Sequence, residues 1–191
     1  MVSAAEEKFI FCGGKPFLPQ GKEGVTGRLA CCFTGHRPDK MPSGEKLREL
    51  RFRVQTSAEV LMNKGVDTFI IGMAPGFDLF AAEILLHEKE FDGARLICAL
   101  PYRNRHISQA AASGQRRIYE EALERCAAVP YFFESYEKQC YKVRNQFMVN
   151  CSSYIIAYLR DPSAMKTGSA MTFRMAEKKA MGRILICGSE L

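Results

Sequence analysis

The sequence predicts an α/β domain in which a mainly parallel sheet is covered by helices on both faces. Three observations carry that reading. Short apolar runs alternate with stretches of helical periodicity from about residue 29 to about residue 188. The runs are nearly continuous in apolar residues, as strands buried on both faces require. Glycine-containing turns stand close after three of the runs, where a helix should begin: Thr34-Gly35-His36-Arg37-Pro38, Gly72-Met73-Ala74-Pro75-Gly76-Phe77-Asp78 and Thr167-Gly168-Ser169.

Residues 1–28 are set apart as an N-terminal extension, and residues 29–191 as the domain. In the extension Phe9-Ile10-Phe11-Cys12 can form a short strand, but Gly13-Gly14, Pro16, Pro19, Gly21, Gly24 and Gly27 break any regular structure after it. The first domain strand is Leu29 to Phe33. Pro42-Ser43-Gly44 then leads into a helix whose apolar positions Leu47, Leu50, Val54, Ala58 and Leu61 keep three-and-four spacing, with Gly65 as its stop. Thr68 to Ile71 is the second strand, followed by a helix from about Asp78 to Lys89. Arg95 to Leu100, ended by Pro101, is the third strand, and a looser basic stretch precedes a helix carrying Ile118, Ala122 and Cys126. Val129 to Phe133 is the fourth strand, and the next helix carries Val143, Phe147 and Cys151 on one face. Tyr154 to Leu159 is the fifth strand. The last glycine turn opens a helix to about Ala180, and Ile184 to Ile186 is the sixth strand. Right-handed crossovers make this a three-layer, doubly wound, Rossmann-like single domain. The expected strand order is fourth, third, second, first, fifth, sixth, which puts the reversal of winding between the first and fifth strands.

Bulk properties narrow the class. At 191 residues, 47% hydrophobic and 25% charged, the chain has apolar side chains enough for one core. No apolar stretch reaches the ~18 residues of a membrane helix. Met1 to Lys8 lack the basic start and apolar run of a secretory signal, so a cytoplasmic protein is expected. The eight cysteines contain no CxxC pair or metal-finger spacing, and several lie inside apolar runs, where free Cys behaves as a small hydrophobe. They are expected to be reduced and mostly buried, with no metal. Part of the net charge of +6 gathers at His36, Arg37 and Lys40 and again at Arg103, Arg105, His106, Arg116 and Arg117. A basic patch attracts anions without separating a nucleotide from a nucleic acid.

The glycine turns carry the chemistry. Gly at such a turn lets the backbone approach a ligand, and the helix that follows aims free N–H groups and partial positive charge at the same spot. That arrangement binds anions, phosphate foremost. The dinucleotide fingerprint GxGxxG is missing, so a conventional NAD dehydrogenase is not expected. In the second turn Gly72 can end the strand and Gly76 can adopt positive φ. Asp78 either caps the helix or contacts a ligand. Glu83, five residues on, is the candidate general acid or base, or else pairs with a neighbouring cation.

In that order TGHRP, GMAPGFDLFAAE, RNQFMVNCSSYIIAY and TGSAMTFRMAEKK resemble the YpsA-like branch of the SLOG superfamily, the Rossmann-like group that includes the LOG nucleotide hydrolases and the DprA/Smf proteins. The resemblance covers roughly residues 29–188. It implies binding of a nucleotide or nucleotide-derived ligand at Thr34, Gly35, His36 and Arg37, at Gly72, Gly76, Asp78 and Glu83, at Arg144 and Asn145, and at Thr167, Gly168 and Ser169. Arg144 offers a planar fork for phosphate, and Asn145 can read a base or ribose edge. Two positions depart from the family pattern: TGS stands where GGT or SGT is common, and Asn150 where Asp is frequent. The related hydrolases place a catalytic Glu soon after this turn. Here Ala170-Met171-Thr172 follow, and no acid comes before Glu177.

The expected function is therefore ligand binding as a sensor or regulatory protein without robust turnover and without a required cofactor. Two alternatives stand beside it: a nucleotide hydrolase cleaving an N-glycosidic or phosphoester bond, with Glu83 as its carboxylate, and a DprA-like single-stranded DNA binder, with Tyr102 as its aromatic. The expected partner is a small nucleotide-type ligand. Single-stranded nucleic acid and a second copy of the chain stay open as partners, and no membrane is expected.

Overall fold

The computed structural model describes residues 7–22, 29–103, 114–161, 163 and 167–191. Arg105 and His106 of the basic stretch, and Gly24 and Gly27 of the extension, lie outside the described residues. In chain order the elements are β1 Phe9–Phe11, β2 Ala30–Gly35, α1 Gly44–Asn63, β3 Thr68–Ile71, α2 Phe77–His87, β4 Arg95–Cys98, β5 Leu100–Tyr102, α3 Arg116–Arg125, β6 Val129–Phe133, α4 Cys140–Asn150, β7 Tyr154–Leu159, α5 Gly168–Lys178 and β8 Gly182–Cys187.

Five strands form one parallel sheet in the order β4-β3-β2-β7-β8. Within the expected order, third, second, first, fifth, sixth holds. The fourth strand differs. It lies in a second parallel sheet, β1-β6-β5, joined to the first by the bridge between Ile97 and Ala128. The expected third strand divides at Ala99, whose N–H still donates to the Ile71 carbonyl at 2.8 Å while Cys98 donates to Ala128 at 3.0 Å. Pro101 in β5 and Pro130 in β6 each remove a ladder donor, so the second sheet stays short. Its outer strand, β1, comes from the N-terminal extension.

The period of two divides the core between the two faces. Cys31 and Phe33 of β2 join one buried cluster with Leu50, Val54, Ala58 and Leu61 of α1, Phe77 of α2 and Ile118 of α3. Cys32 joins the other, with Phe147 and Val149 of α4, Ala176 of α5 and Ile10 of β1. Six of the eight cysteines are buried and all eight are free thiols. Burial pushes the Cys32 thiol up to about 12, so Cys32 is a packing residue and a poor nucleophile.

The helix ends follow from local chemistry. Gly65, at φ 91, closes α1, with Val66 donating to the Leu61 carbonyl at 3.0 Å and Gly65 to Met62 at 2.8 Å. The Lys179 ammonium donates to the carbonyls of Val149, Asn150 and Ser152 at 2.7–2.8 Å, which satisfies the C-terminal end of α4. Among the described residues no helix is long and apolar enough to cross a membrane. The chain winds outward from β2 through β3 to β4 with α1 and α2 on one face, and from β7 to β8 with α5 on the other. The carboxyl ends of β2 and β7 therefore flank the point where the winding reverses.

Candidate functional site

A cleft of about 360 Å³ opens at that point. Its volume falls near the lower end of small-molecule sites, about 300–1,000 Å³. The end of β2 and the following loop contribute Thr34, Gly35, His36, Arg37, Asp39 and Lys40, and the turn after β3 contributes Ala74 and Asp78. One face of α4 contributes Tyr141, Arg144, Asn145 and Met148, and the start of α5 contributes Thr167, Gly168 and Ser169.

Ten of the thirteen binding residues expected from the sequence line this cleft. Gly72 and Gly76 lie just behind it. A Cβ at Gly72 would run into the Arg144 guanidinium and the Asp78 carboxylate. One at Gly76 would run into the His36 carbonyl and the Arg37 backbone. Glu83 is not brought to the cleft. Its Oε2 lies 2.9 Å from Arg51 Nη2 on α1, and the Arg51 guanidinium also covers the Phe80 ring at 5.2 Å. Glu83 stands a turn and a half into α2, beyond Asp78, and faces the neighbouring helix. Of the two readings open for Glu83, the structure shows the pairing with a neighbouring cation.

The three glycine turns prove to be unlike one another. In the second, the protein itself occupies the amides: Ala74 N–H donates to Asp78 Oδ2 at 3.2 Å, Gly76 N–H to Gln115 Oε1 at 2.7 Å, and Phe77 N–H to the His36 carbonyl at 3.0 Å. Gln115 Nε2 also donates to the Gly76 carbonyl at 3.2 Å. Asp78 does not cap α2 forward; Gly76 is the residue flanking the helix, at φ 97 and ψ −126, and Asp78 reaches back to Ala74. Buried Met73 is held at φ 57, a conformation that costs a non-glycine residue about 1–3 kcal/mol. Three amides of this turn are thus met by the protein's own groups.

Arg144 completes the scaffold. It is buried, donates from Nη1 to the Gly72 carbonyl, and lies 3.9 Å from Asp78 Oδ2. Asn145 Nδ2 donates to Thr172 Oγ1 at 2.8 Å, and Thr172 in turn to the Gly168 carbonyl at 2.9 Å, so α4 is tied to α5. Thr167 caps α5 by accepting Ala170 N–H at 3.2 Å. The Ser169 hydroxyl donates to the Gly35 carbonyl, joining the first and third turns. At the N-terminal end of α5, which lines the cleft, the N–H groups of Gly168 and Ser169 have no intrahelical partner. Arg37 and Lys40 are exposed at the rim, with Asp39 between them in sequence.

His36 is buried, sits edge-on to Tyr158 at 5.8 Å, and has an Nε2 atom without a hydrogen-bond partner among the described residues. Burial first, then the Lys40 charge, holds its pKa below the ordinary 6.5, so the ring is neutral at pH 7. A neutral imidazole with an unpaired buried nitrogen is a hydrogen-bonding group that a ligand can complete.

The sequence reading placed Lys40 in the basic patch beside His36 and Arg37 but missed Gln115, Tyr141 and Met148. A signal for the last two existed. Tyr141, Arg144, Asn145 and Met148 fall at i, i+3, i+4 and i+7, a second helical face beside the apolar one. For Gln115, which reaches the turn across 39 residues of chain, no local signal exists.

Among known proteins, the family model YpsA, described as the YspA SLOG family, matches residues 31–186. No curated protein matches. Among solved structures, DNA processing protein A (DprA) from Streptococcus pneumoniae is similar at a TM-score of 0.55 and 15% identity, over 82% of this chain and 50% of that one. This chain thus spans about half the length of that one, and at such identity the likeness is one of fold.

Proposed function

The chain belongs to the YpsA SLOG family, and we propose that its cleft binds a phosphate-bearing nucleotide or nucleotide-derived ligand as a sensor or regulatory protein. The observation that carries this is the division of labour among the turns. The amides of the scaffold turn are met by the protein's own groups, while the start of α5, Arg37, Lys40 and His36 line one cleft. The ligand's phosphate would accept from Gly168 and Ser169 N–H, with the rim cations neutralising it. Membership in the family supports a nucleotide- or nucleic-acid-related role.

Binding without robust turnover is favoured over hydrolysis by what has become of the carboxylates. Glu83 is paired with Arg51, Asp78 is held by Ala74 N–H beside Arg144, and Asp39 stands exposed at the rim. A general base needs its carboxylate within reach of water and substrate together. The test is thermal shift and calorimetry against nucleoside mono-, di- and triphosphates, dinucleotides and ADP-ribose derivatives. A ligand at about 100-fold its Kd raises stability by about 2.7 kcal/mol. The combined Arg37→Ala and Lys40→Ala variant should bind it at least ~10-fold more weakly with unchanged stability. No stabilisation by any phosphate-bearing compound would sink the reading; product formation by the wild type would convert it to that of a hydrolase.

A further inference from the structure

Two cysteines far apart in the chain meet away from the cleft. Cys98 is the last residue of β4 and Cys126 the first after α3, and both are buried. They converge on one atom: the Ala122 carbonyl oxygen has the Cys126 N–H at 3.0 Å and Cys98 Sγ at 3.6 Å. Cys126 Sγ lies 3.3 Å from the Leu123 carbonyl. The backbone is tied on both sides of the pair, Ala127 N–H donating to Leu96 at 2.8 Å and Cys98 N–H to Ala128 at 3.0 Å. The two thiols are also hydrogen-bonded to each other.

A cation stands beside them. Lys8 donates from Nζ to the Glu124 carbonyl near the end of α3, and its charge reaches both sulfurs. The hydrogen bond from Cys98 and the Lys8 charge hold Cys126 below the ordinary thiol range against its burial, while burial pushes Cys98 up. One sulfur is thus disposed to ionise and its neighbour to keep a proton. Other pairs lack this division. Cys31 and Cys32, adjacent in β2, belong to clusters on opposite faces of the sheet, and burial pushes Cys12 and Cys151 up to about 12 and about 11.

We propose that Cys98 and Cys126 are a redox-active dithiol, a modification site at which a small neutral peroxide converts the pair to a reversible disulfide. Local opening at the end of α3 admits the peroxide to Cys126 while β4 stays in place. The Cys126 thiolate attacks one oxygen of hydrogen peroxide and the O–O bond breaks. Hydroxide leaves and becomes water with the proton that Cys126 has lost, and Cys126 is left as a sulfenic acid. Cys98 sulfur then attacks the Cys126 sulfur, the S–O bond breaks, and hydroxide leaves with the Cys98 proton as a second water. The pair loses two electrons and the peroxide gains them. The bond closes the segment that contains Gln115, whose side chain holds the Gly76 amide. This site is independent of the cleft and of its ligand.

The test treats the full chain, reduced and freed of thiol reagent, with hydrogen peroxide at neutral pH, then blocks free thiols and maps linked peptides by mass spectrometry. One linkage, Cys98 to Cys126, should form and be reversed by dithiothreitol. The linked form should melt at a higher temperature than the reduced one. Cys98→Ala should stop at a sulfenic acid on Cys126, trapped with dimedone, and Cys126→Ala should leave Cys98 unlabelled. Lys8→Gln should slow the linkage about 2- to 5-fold, because the loss of thiolate is partly offset by the greater nucleophilicity of a more basic sulfur. Should an alanine variant misfold, the wild-type linkage map and the Lys8→Gln rate still decide. Peroxide treatment that leaves both thiols free, or that links other cysteines in their place, overturns the proposal.

Discussion

Two charged residues of the expected site illustrate how differently a buried and a half-exposed ion pair behave. Arg144 is buried against Gly72 and Asp78, so its loss strands a carboxylate in the interior. Arg144→Met should destabilise the fold by about 3–5 kcal/mol, read from urea unfolding, because an uncompensated buried charge remains. Glu83 and Arg51 are each about a third exposed, at 36% and 35%. Glu83→Gln should cost no more than about 1 kcal/mol and leave ligand affinity unchanged, since water already screens the pair. A large loss of binding in Glu83→Gln would return that residue to the site. His36 adds a pH dependence whose sign is set by burial. Its folded pKa lies below the ordinary 6.5, so between those two values the unfolded chain holds the extra proton. Its contribution to stability is complete above pH 6.5 and is lost as the pH falls from there toward the depressed value. Unfolding midpoints at about pH 7.5 and about pH 5.5 should therefore separate more in the wild type than in His36→Gln.

At the scale of elements, the turn between β3 and α2 is where backbone and packing demand the same residue. Gly76 has positive φ and also lies against the backbone of His36 and Arg37. Gly76→Ala meets both obstacles, and about 3 kcal/mol or more of destabilisation is expected, because left-handed strain alone costs about 1–3 kcal/mol. Gly168→Ala is the contrast: an added Cβ there meets nothing within 4 Å. It should fold as the wild type does, so the two variants compared by thermal melting separate scaffold from ligand-facing turn. The element boundaries were largely legible, because strand runs such as Thr68–Ile71 and helix faces such as Leu50, Val54, Ala58 and Leu61 follow from local periodicity. The role of each turn was not. Glycine content is the same whether the amides face a ligand or are filled by Asp78 and Gln115.

For the molecule as a whole, the N-terminal extension matters more than its composition suggests. Ile10 and Cys12 are buried in the core cluster shared with α4 and α5, and Phe9, Ile10 and Phe11 pair with Val129, Pro130 and Tyr131. Ile10→Ala should cost about 2–4 kcal/mol, measured as a shift in urea midpoint at constant slope, as for other large-to-small core changes. An effect below about 0.5 kcal/mol would mean that β1 is peripheral to folding.

Local sequence was enough to establish the alternation of strands and helices, the parallel sheet, the family pattern and the strand ends at which the cleft opens. Each of these is written in local periodicity or in short contiguous motifs. Which members of those motifs face the cleft was settled by packing in three dimensions. Glu83 turned toward Arg51, Arg144 was engaged by Gly72 and Asp78, and Gln115, just before α3, arrived from a distant part of the chain to fill the Gly76 amide. The fourth strand moved into a sheet with the N-terminal segment for the same kind of reason. Hydrogen-bond partners and ion pairs between residues far apart in the chain are set by packing, and no window of sequence contains both members.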